Sequence, residues 1–589
     1  MAVTCYGLIS LILSLGPLRV SGLAPLVFVD QPILDLPAGR YRADRLQVQD
    51  GSRETILRLR GVQYAEDPVA DLRWRPPVPI RPSAGVVNAT EFGADCIQAH
   101  HWYKSATLLD GIGLTTKTSE ACLFLNVWAP EVRGPRKLPV LFWIHGGSFV
   151  AGGTTDFNGD GVMAYRRGAI YVTANYRLGA LGFLGGRTVA SGSGDGSAGN
   201  FGLQDTREAL RWVRRNIASL GGDPARVTIF GESSGASLVE THMVSPRSFG
   251  LFSGAVLQSG PFDNSTVQDD PEESFRAFVS QTPCNKTLAE PNATMACLRQ
   301  VPLFNYPFLP SLMAAVAKSG SAGYFSPAID GVELTDTPEV LAAKGLVAPL
   351  QGVIIGVNLN EGNYMLLSDN PVPGAPWCTE EQLHGWIRGQ YPHDVKRIMA
   401  RYPPNESEGR FKYWSVASKI YTDTQYFCPA RRSAHWLLQS KRVSLGRIFF
   451  YQLTYEPSYF ASTGVIAHWY YWCNLLPCEA MGLPFGAAHG ADVSLVWAAA
   501  GKFNATDATL AKRMIAWWQQ FAENFDPADS GGARWLTYGP NNSTLLLQPE
   551  PSMASGLQTQ LCDFWDELHR VPYTKQRVST ARSFHHLLV

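Results

Sequence analysis

The sequence predicts an α/β protein built on a mostly parallel sheet. Short apolar runs bounded by turn residues alternate with segments of helical periodicity. The runs have strand length and end on glycine-containing turns. The polar residues that could carry chemistry fall just after those runs, where open parallel sheets place their sites. In chain order, "LPVLFWIHGG" (138–147) reads as a buried strand entering a glycine turn, and "AIYVTANYR" (169–177) as another. "QDTREALRWVRRNIASLGG" (204–222) has Leu210, Val213, Ile217 and Leu220 at helical spacing, then a Gly-Gly stop. "RVTIFG" (226–231), "GLFSGAVLQSG" (250–260) and "QGVIIGVNLNEG" (351–362) repeat the strand-then-turn form. The turns "HGG", "GESSG", "QSG" and "NEG" therefore share one end of the predicted sheet.

Composition narrows the class. The 589 residues carry 50 basic and 50 acidic side chains, for a formal charge of zero. No basic stripe offers an electrostatic footprint for nucleic acid, so no nucleic-acid partner is expected. An apolar share of 45% marks globular material. No internal repeat or low-complexity linker divides the chain, and "ASGSGDGSAGN" (190–200) reads as a surface loop.

The N-terminal "MAVTCYGLISLILSLGPLRVSG" holds an apolar block too short to span a bilayer, followed by Ser21 and Gly22. Residues 1–22 are read as a signal peptide and 23–589 as one catalytic domain, although no Lys or Arg precedes the apolar block. Eight N-x-[ST] sequons point the same way: Asn88, Asn264, Asn285, Asn292, Asn405, Asn504, Asn541 and Asn542. Without Cys5, nine cysteines remain, an odd number with no C-x-x-C pair and so no zinc signature. In an oxidising compartment they would form disulfides. No later run of 18 apolar residues predicts a membrane span, so the expectation is a secreted, soluble glycoprotein.

The chemistry centres on "VTIFGESSGASLV" (227–239). "GESSG" fits G-x-S-x-G with Ser233 in the middle; Ser234 is flanked by Glu232 and Ala236 at the glycine positions and does not fit. A serine on a tight strand-to-helix turn has its Oγ lifted above the sheet, and the helix N-terminus behind it favours developing negative charge. A match to G-x-G-x-x-G, "GDGSAG" (194–199), follows no strand and is read as a loop. "IHGGSF" (144–149) follows a buried strand; the N–H groups of Gly147 and Ser148, with that of Ser234, could converge on a carbonyl oxygen as an oxyanion hole. Taken alone, it reads better as a plain Gly-Gly turn.

The chain resembles the type-B carboxylesterases and cholinesterases of the α/β-hydrolase fold. The matching stretches are "GVQYAEDPVADLRWRPP" (61–77), "SEACLFLNVWAP" (119–130), "LFWIHGGSFVAGG" (141–153), "TANYRLGALGFL" (173–184), residues 199–236, "AVLQSG" (255–260), "NEGNYMLL" (360–367) and "HGADV" (489–493). This resemblance implies a mostly parallel central sheet flanked by helices and a serine hydrolase of carboxylic esters, with no cofactor and no metal. It implies Glu361 as the triad acid and His489 as the triad base. Chain order alone would leave His384, His393, His435, His468 and His569 equally open. It also implies disulfides Cys96–Cys122, Cys284–Cys297 and Cys428–Cys562. The pairing of Cys378, Cys473 and Cys478 stays open: a Cys473–Cys478 bridge would leave Cys378 over.

Departures from the cholinesterases bear on substrate. "LLDGIGLTTK" carries no tryptophan where cholinesterases stack one on the choline cation, and Trp102 lies much nearer the first cysteine. "SGSAGYFSPAIDG" (319–331) supplies Gly and Ser where cholinesterases narrow the acyl pocket with aromatics. Tyr364 keeps an aromatic position, Ala121 stands where the family usually has Asp, and Gln63 where it usually has Pro. The C-terminus lacks the tryptophan-rich tail of tetrameric cholinesterases. The expected partner is a small-molecule ester, and the oligomeric state is not legible. A cholinesterase and a non-catalytic adhesion protein related to neuroligins are the competing readings.

Overall fold

The computed structural model describes residues 25–98, 118–131, 136–260, 267–268, 270–301, 325–368, 372, 376–458, 485–498, 503–527 and 534–570. The expected signal peptide, Asn264, Trp102, Cys473, Cys478, residues 319–324 and the C-terminal tail lie outside them.

Twelve strands form one central sheet. They are β1 (Leu26–Asp30), β2 (Asp44–Val48), β3 (Thr55–Gln63), β4 (Phe124–Pro130), β5 (Leu138–Ile144), β6 (Ile170–Ala174), β7 (Gly222–Glu232), β8 (Gly254–Gln258), β9 (Gly352–Asn358), β10 (Ile448–Leu453), β11 (Thr544–Leu547) and β12 (Ser552–Ala554). Their spatial order is β1-β2-β3-β4-β6-β5-β7-β8-β9-β10-β11-β12. Every pairing from β6 to β11 is parallel. The strands outside that block pair antiparallel. The fold is the expected α/β-hydrolase architecture.

Continuous apolar runs make these strands because both faces of the sheet are covered. In β5, Val140, Phe142 and Ile144 enter one core while Leu141 and Trp143 enter the other. Strand β9 divides likewise, with Val353, Ile355 and Val357 on one side and Ile354 on the other. Helices lie on both sides: α1 (Phe201–Asn216), α2 (Ser234–Val244), α3 (Glu361–Ser368), α4 (Lys412–Thr422), α5 (Cys428–Ser440), α6 (Ala491–Val496), α7 (Ala505–Asn524) and α8 (Thr559–Arg570). Helix α2 packs on β7 and β8, and α7 packs on β5 and β7.

Two local readings change. The helix expected over 204–222 begins at Phe201 and ends at Asn216, followed by a 3₁₀ turn to Leu220 and a left-handed Gly221. The stretch 190–200 is only partly a surface loop. Its first residues finish a short helix, Arg187–Ser193, while Ser197, Ala198 and Asn200 are buried. Asn200 explains that burial: its Nδ2 donates to Ala328 O at 2.8 Å and its Oδ1 accepts from Ala328 N at 3.1 Å.

Candidate active site

Ser233 occupies the single residue between β7 and α2, at φ 55° and ψ −130°. A non-glycine residue at positive φ is uncommon and holds only where its surroundings over-determine it. Its N–H donates to Gln258 O at the end of β8 (2.9 Å), and its carbonyl accepts from Ser237 N–H (3.0 Å). The flanking glycines are required by close approach. A Cβ on Gly231 would lie 2.6 Å from the Gly235 carbonyl carbon, and one on Gly235 would lie 2.1 Å from Ile144 O. The turn is thus wedged against the end of β5.

Glu361 and His489 meet at this end of the sheet. Glu361, fully buried, opens α3 just beyond β9. Its Oε1 accepts from Ser259 Oγ (2.6 Å) and from Asn358 N–H (2.6 Å). Its Oε2 accepts from His489 Nδ1 at 2.7 Å. With a carboxylate as the only acceptor there, Nδ1 carries the proton and Nε2 is left for chemistry. Nε2 makes no hydrogen bond among the described residues, to Ser233 or any other group. It lies 3.3 Å from Glu232 Oε1, off line for a hydrogen bond. Catalytic hydrogen bonds are often long before substrate binds. Tyr364 stacks near His489 (ring centroids 6.2 Å apart, 17° between planes), and the Tyr426 ring lies 5.1 Å away.

The electrostatics of the site follow from its carboxylates. Burial opposes the His489 imidazolium, but Glu232, Glu361 and Asp492 together outweigh it and raise its pKa to about 9. Glu232 is raised to about 8, first by burial and then by Asp492 and Glu361, against the pull of His489. Asp492 sits one turn beyond His489, in α6; it accepts from Gln258 Nε2 (2.8 Å), Tyr451 Oη (2.6 Å) and Asn358 Nδ2 (3.4 Å). The roles of Glu232, Ser259, Asn358 and Asp492 emerge only from their burial and partners. Glu232, Ser259 and Asp492 stand inside the motifs "GESSG", "QSG" and "HGADV", which is the signal that could have found them.

The loop after β5 lies against the Ser233 turn; a Cβ on Gly146 would be 3.2 Å from Ser233 Cβ. Gly147, Ser148 and Phe149 all have positive φ (114°, 55° and 61°), so the chain curls tightly here. The N–H groups of Gly147 and Ser148 make no hydrogen bond among the described residues. Ser234 N–H belongs to the first turn of α2, which has no helical acceptor. The Ser234 hydroxyl is engaged as well: its oxygen accepts from Phe149 N–H at 3.2 Å.

Three disulfides are formed: Cys96–Cys122, Cys284–Cys297 and Cys428–Cys562. Cys378 is a free, buried thiol. Ala121 N–H bonds Ser119 Oγ (3.1 Å), and Gln63 Nε2 bonds Asp67 Oδ1 (2.7 Å), so both departures are absorbed locally. Among the described residues no group of three or more His, Cys, Asp or Glu is arranged to hold a metal, and no helix is long and apolar enough to cross a membrane.

Residues 30–565 match the model of the Carboxylesterase family. An acetylcholinesterase of Bungarus fasciatus is 31% identical over 557 residues, covering 90% of this chain and 85% of that protein. An acylcarnitine hydrolase of Mus musculus is 28% identical over 568 residues, covering 94% of each. An acetylcholinesterase of Danio rerio is 29% identical over 576 residues, covering 90% of this chain and 87% of that protein. With a family model matching residues 30–565 and a 31% identical relative covering 90% of the sequence, this chain belongs to the carboxylesterase family and is a carboxylic ester hydrolase.

Proposed function

We propose that the protein is a secreted, glycosylated serine esterase in which Ser233, His489 and Glu361 form the catalytic triad. The observation that carries this reading is the 2.7 Å bond from His489 Nδ1 to Glu361 Oε2, buried beside the strained Ser233 turn. His489 Nε2 removes the Ser233 proton as Oγ attacks the ester carbonyl carbon. The N–H groups of Gly147, Ser148 and Ser234 hold the oxyanion. The tetrahedral intermediate collapses when His489 returns the proton to the departing alcohol, leaving an acyl-enzyme. Water, deprotonated by the same nitrogen, then releases the acid. Glu361, itself fixed by Ser259 and Asn358, holds the imidazole tautomer and balances the imidazolium.

Neutral carboxylic esters of varied acyl length are the proposed substrates. The absence of a tryptophan from "LLDGIGLTTK" and the small residues at 319–323 support this over a choline-ester preference. Secretion is supported by three disulfides and by sequon asparagines that stand at the surface: Asn88, Asn285, Asn292, Asn405, Asn504 and Asn541 are exposed and Asn542 half-exposed.

One experiment tests the whole reading. Native and Ser233→Ala proteins are expressed in secreting cells and assayed on p-nitrophenyl esters of rising acyl length, a choline ester and an acylcarnitine. Both proteins should appear in the medium with a mass that peptide-N-glycosidase lowers. Native protein should hydrolyse the neutral esters, and Ser233→Ala should lose at least about 10⁴-fold in kcat. Full activity in Ser233→Ala would overturn the triad. Turnover of the choline ester or acylcarnitine far above that of neutral esters would overturn the substrate class. Retention of an unglycosylated protein inside the cell would overturn secretion.

A further inference from the structure

Residues 145–149 hold an unusual amount of strain in a small space. Two consecutive non-glycine residues, Ser148 and Phe149, adopt φ of 55° and 61° directly after Gly147 at 114°. Such a curl relaxes unless neighbouring groups tie it down. Three ties are present. Gly179 N–H donates to Phe149 O at 2.7 Å. Phe149 N–H donates to Ser234 Oγ at 3.2 Å. At the loop's other end, Tyr176 Oη donates to His145 O at 2.9 Å, and the Tyr176 ring stacks on the His145 imidazole at 4.4 Å and 20°.

Tyr176 and Ser234 thus hold opposite ends of the same loop. Tyr176 gives its proton to His145 O. Ser234 Oγ in turn accepts from Phe149 N–H. Both hydroxyls are buried, so water does not readily replace either partner. Two buried hydroxyls therefore tie down the 145–149 loop, Tyr176 at its start and Ser234, the first residue of α2, at its end.

We propose that the Ser234 hydroxyl and Tyr176 are a positioning pair that holds the amide donors of Gly147 and Ser148 where the oxyanion forms. Ser234 then acts twice: its N–H faces the oxyanion and its hydroxyl holds the loop bearing the other donors. The pair touches no substrate; it acts through the loop. This inference rests on the oxyanion-hole reading of the loop given above.

The test compares native, Ser234→Ala and Tyr176→Phe proteins. Each variant removes one hydroxyl; Tyr176→Phe keeps the ring that stacks on His145. Activity is read as kcat and KM on a p-nitrophenyl ester. Oxyanion binding is read separately as the affinity of a trifluoromethyl ketone, whose adduct with a serine places a negative oxygen in the same donors. Ser234→Ala should lower kcat and weaken the ketone by the same factor, about tenfold, with KM changed less than threefold. Tyr176→Phe should give the same signature at a smaller factor. Ketone affinity and kcat within twofold of native in both variants would overturn the proposal. So would a KM increase accounting for the whole loss, because the pair would then serve ground-state binding. If Ser234→Ala fails to fold, Tyr176→Phe decides alone. Full activity in Ser233→Ala would instead condemn the underlying serine mechanism, so the two failures are distinguishable.

Discussion

At the residue scale, the site is a problem of charge management around one imidazole. Three carboxylates, Glu232, Glu361 and Asp492, act on His489 and raise its pKa to about 9. Glu232 is the one that faces Nε2, the nitrogen that must be free of a proton to act as base. Removing its charge destabilises the imidazolium, so the folded-state pKa of His489 falls and the free base appears at lower pH. Glu232→Gln should therefore move the acidic limb of the kcat/KM profile to lower pH, by about one unit or more given a charge 3.3 Å away. A limb unmoved by the substitution would show that Glu232 is already neutral in the working enzyme. The residues of this site were unequally legible. Ser233 is readable because its turn needs glycines at fixed offsets, whereas Glu361 and His489 needed the family resemblance, since twelve histidines offer no local distinction. The roles of Glu232, Ser259 and Asp492 are not legible even inside the motifs "GESSG", "QSG" and "HGADV", because what matters in them is burial and partnership, which a linear pattern does not carry.

Elements were legible to the degree that local sequence decides them. The parallel strands β5, β7, β8 and β9 are continuous apolar runs, and buried parallel strands leave no other face to encode. The break between α4 and α5 was not legible: Asp423–Phe427 forms a π-helical segment joining them. A π-bulge inserts an extra residue without a sequence signature, and such bulges often sit at functional sites. Here it presents Tyr426 toward His489 and Asp423 toward Tyr402. Asp423 accepts from Tyr402 Oη at 2.7 Å, and Trp565 Nε1 donates to Tyr402 Oη at 2.7 Å. Burial pushes the Asp423 carboxyl up to about 7 despite that bond. A group whose pKa is raised on folding stabilises fully below its unfolded value and loses that contribution as pH rises through the folded value. The native protein should thus lose stability between about pH 4 and pH 7 at this site, with a ceiling of about 4 kcal/mol by linkage. Asp423→Asn has no proton to lose. Its urea midpoint relative to native protein should rise between pH 5 and pH 8; a constant difference would mean that Asp423 is ionised throughout.

Across the whole molecule, the disulfides join segments that the sheet alone leaves far apart in sequence. Cys428 opens α5 and Cys562 lies in α8, a separation of 134 residues. Cys96–Cys122 spans 26 residues and Cys284–Cys297 spans 13. Cross-linking limits the unfolded chain more as the loop lengthens. In the chain-entropy account the 134-residue loop contributes about 5 kcal/mol and the 13-residue loop about 3 kcal/mol. The long bridge has a second consequence. Cys428 follows the π-helical segment whose Tyr426 packs near His489, and α8 carries the Trp565 that bonds Tyr402. Loss of the bridge loosens the two ends of that support together. Paired serine substitutions at 428 and 562 should therefore lower the unfolding free energy more than those at 284 and 297, by roughly 2 kcal/mol. They should also reduce ester turnover at temperatures well below unfolding, while the 284–297 pair should leave turnover unchanged. Urea unfolding and kcat at 25 °C check both statements. If the short bridge proves the costlier to remove, loop entropy is not what the disulfides contribute here. If the long one is removed without loss of turnover, the π-helical segment holds Tyr426 against His489 without it.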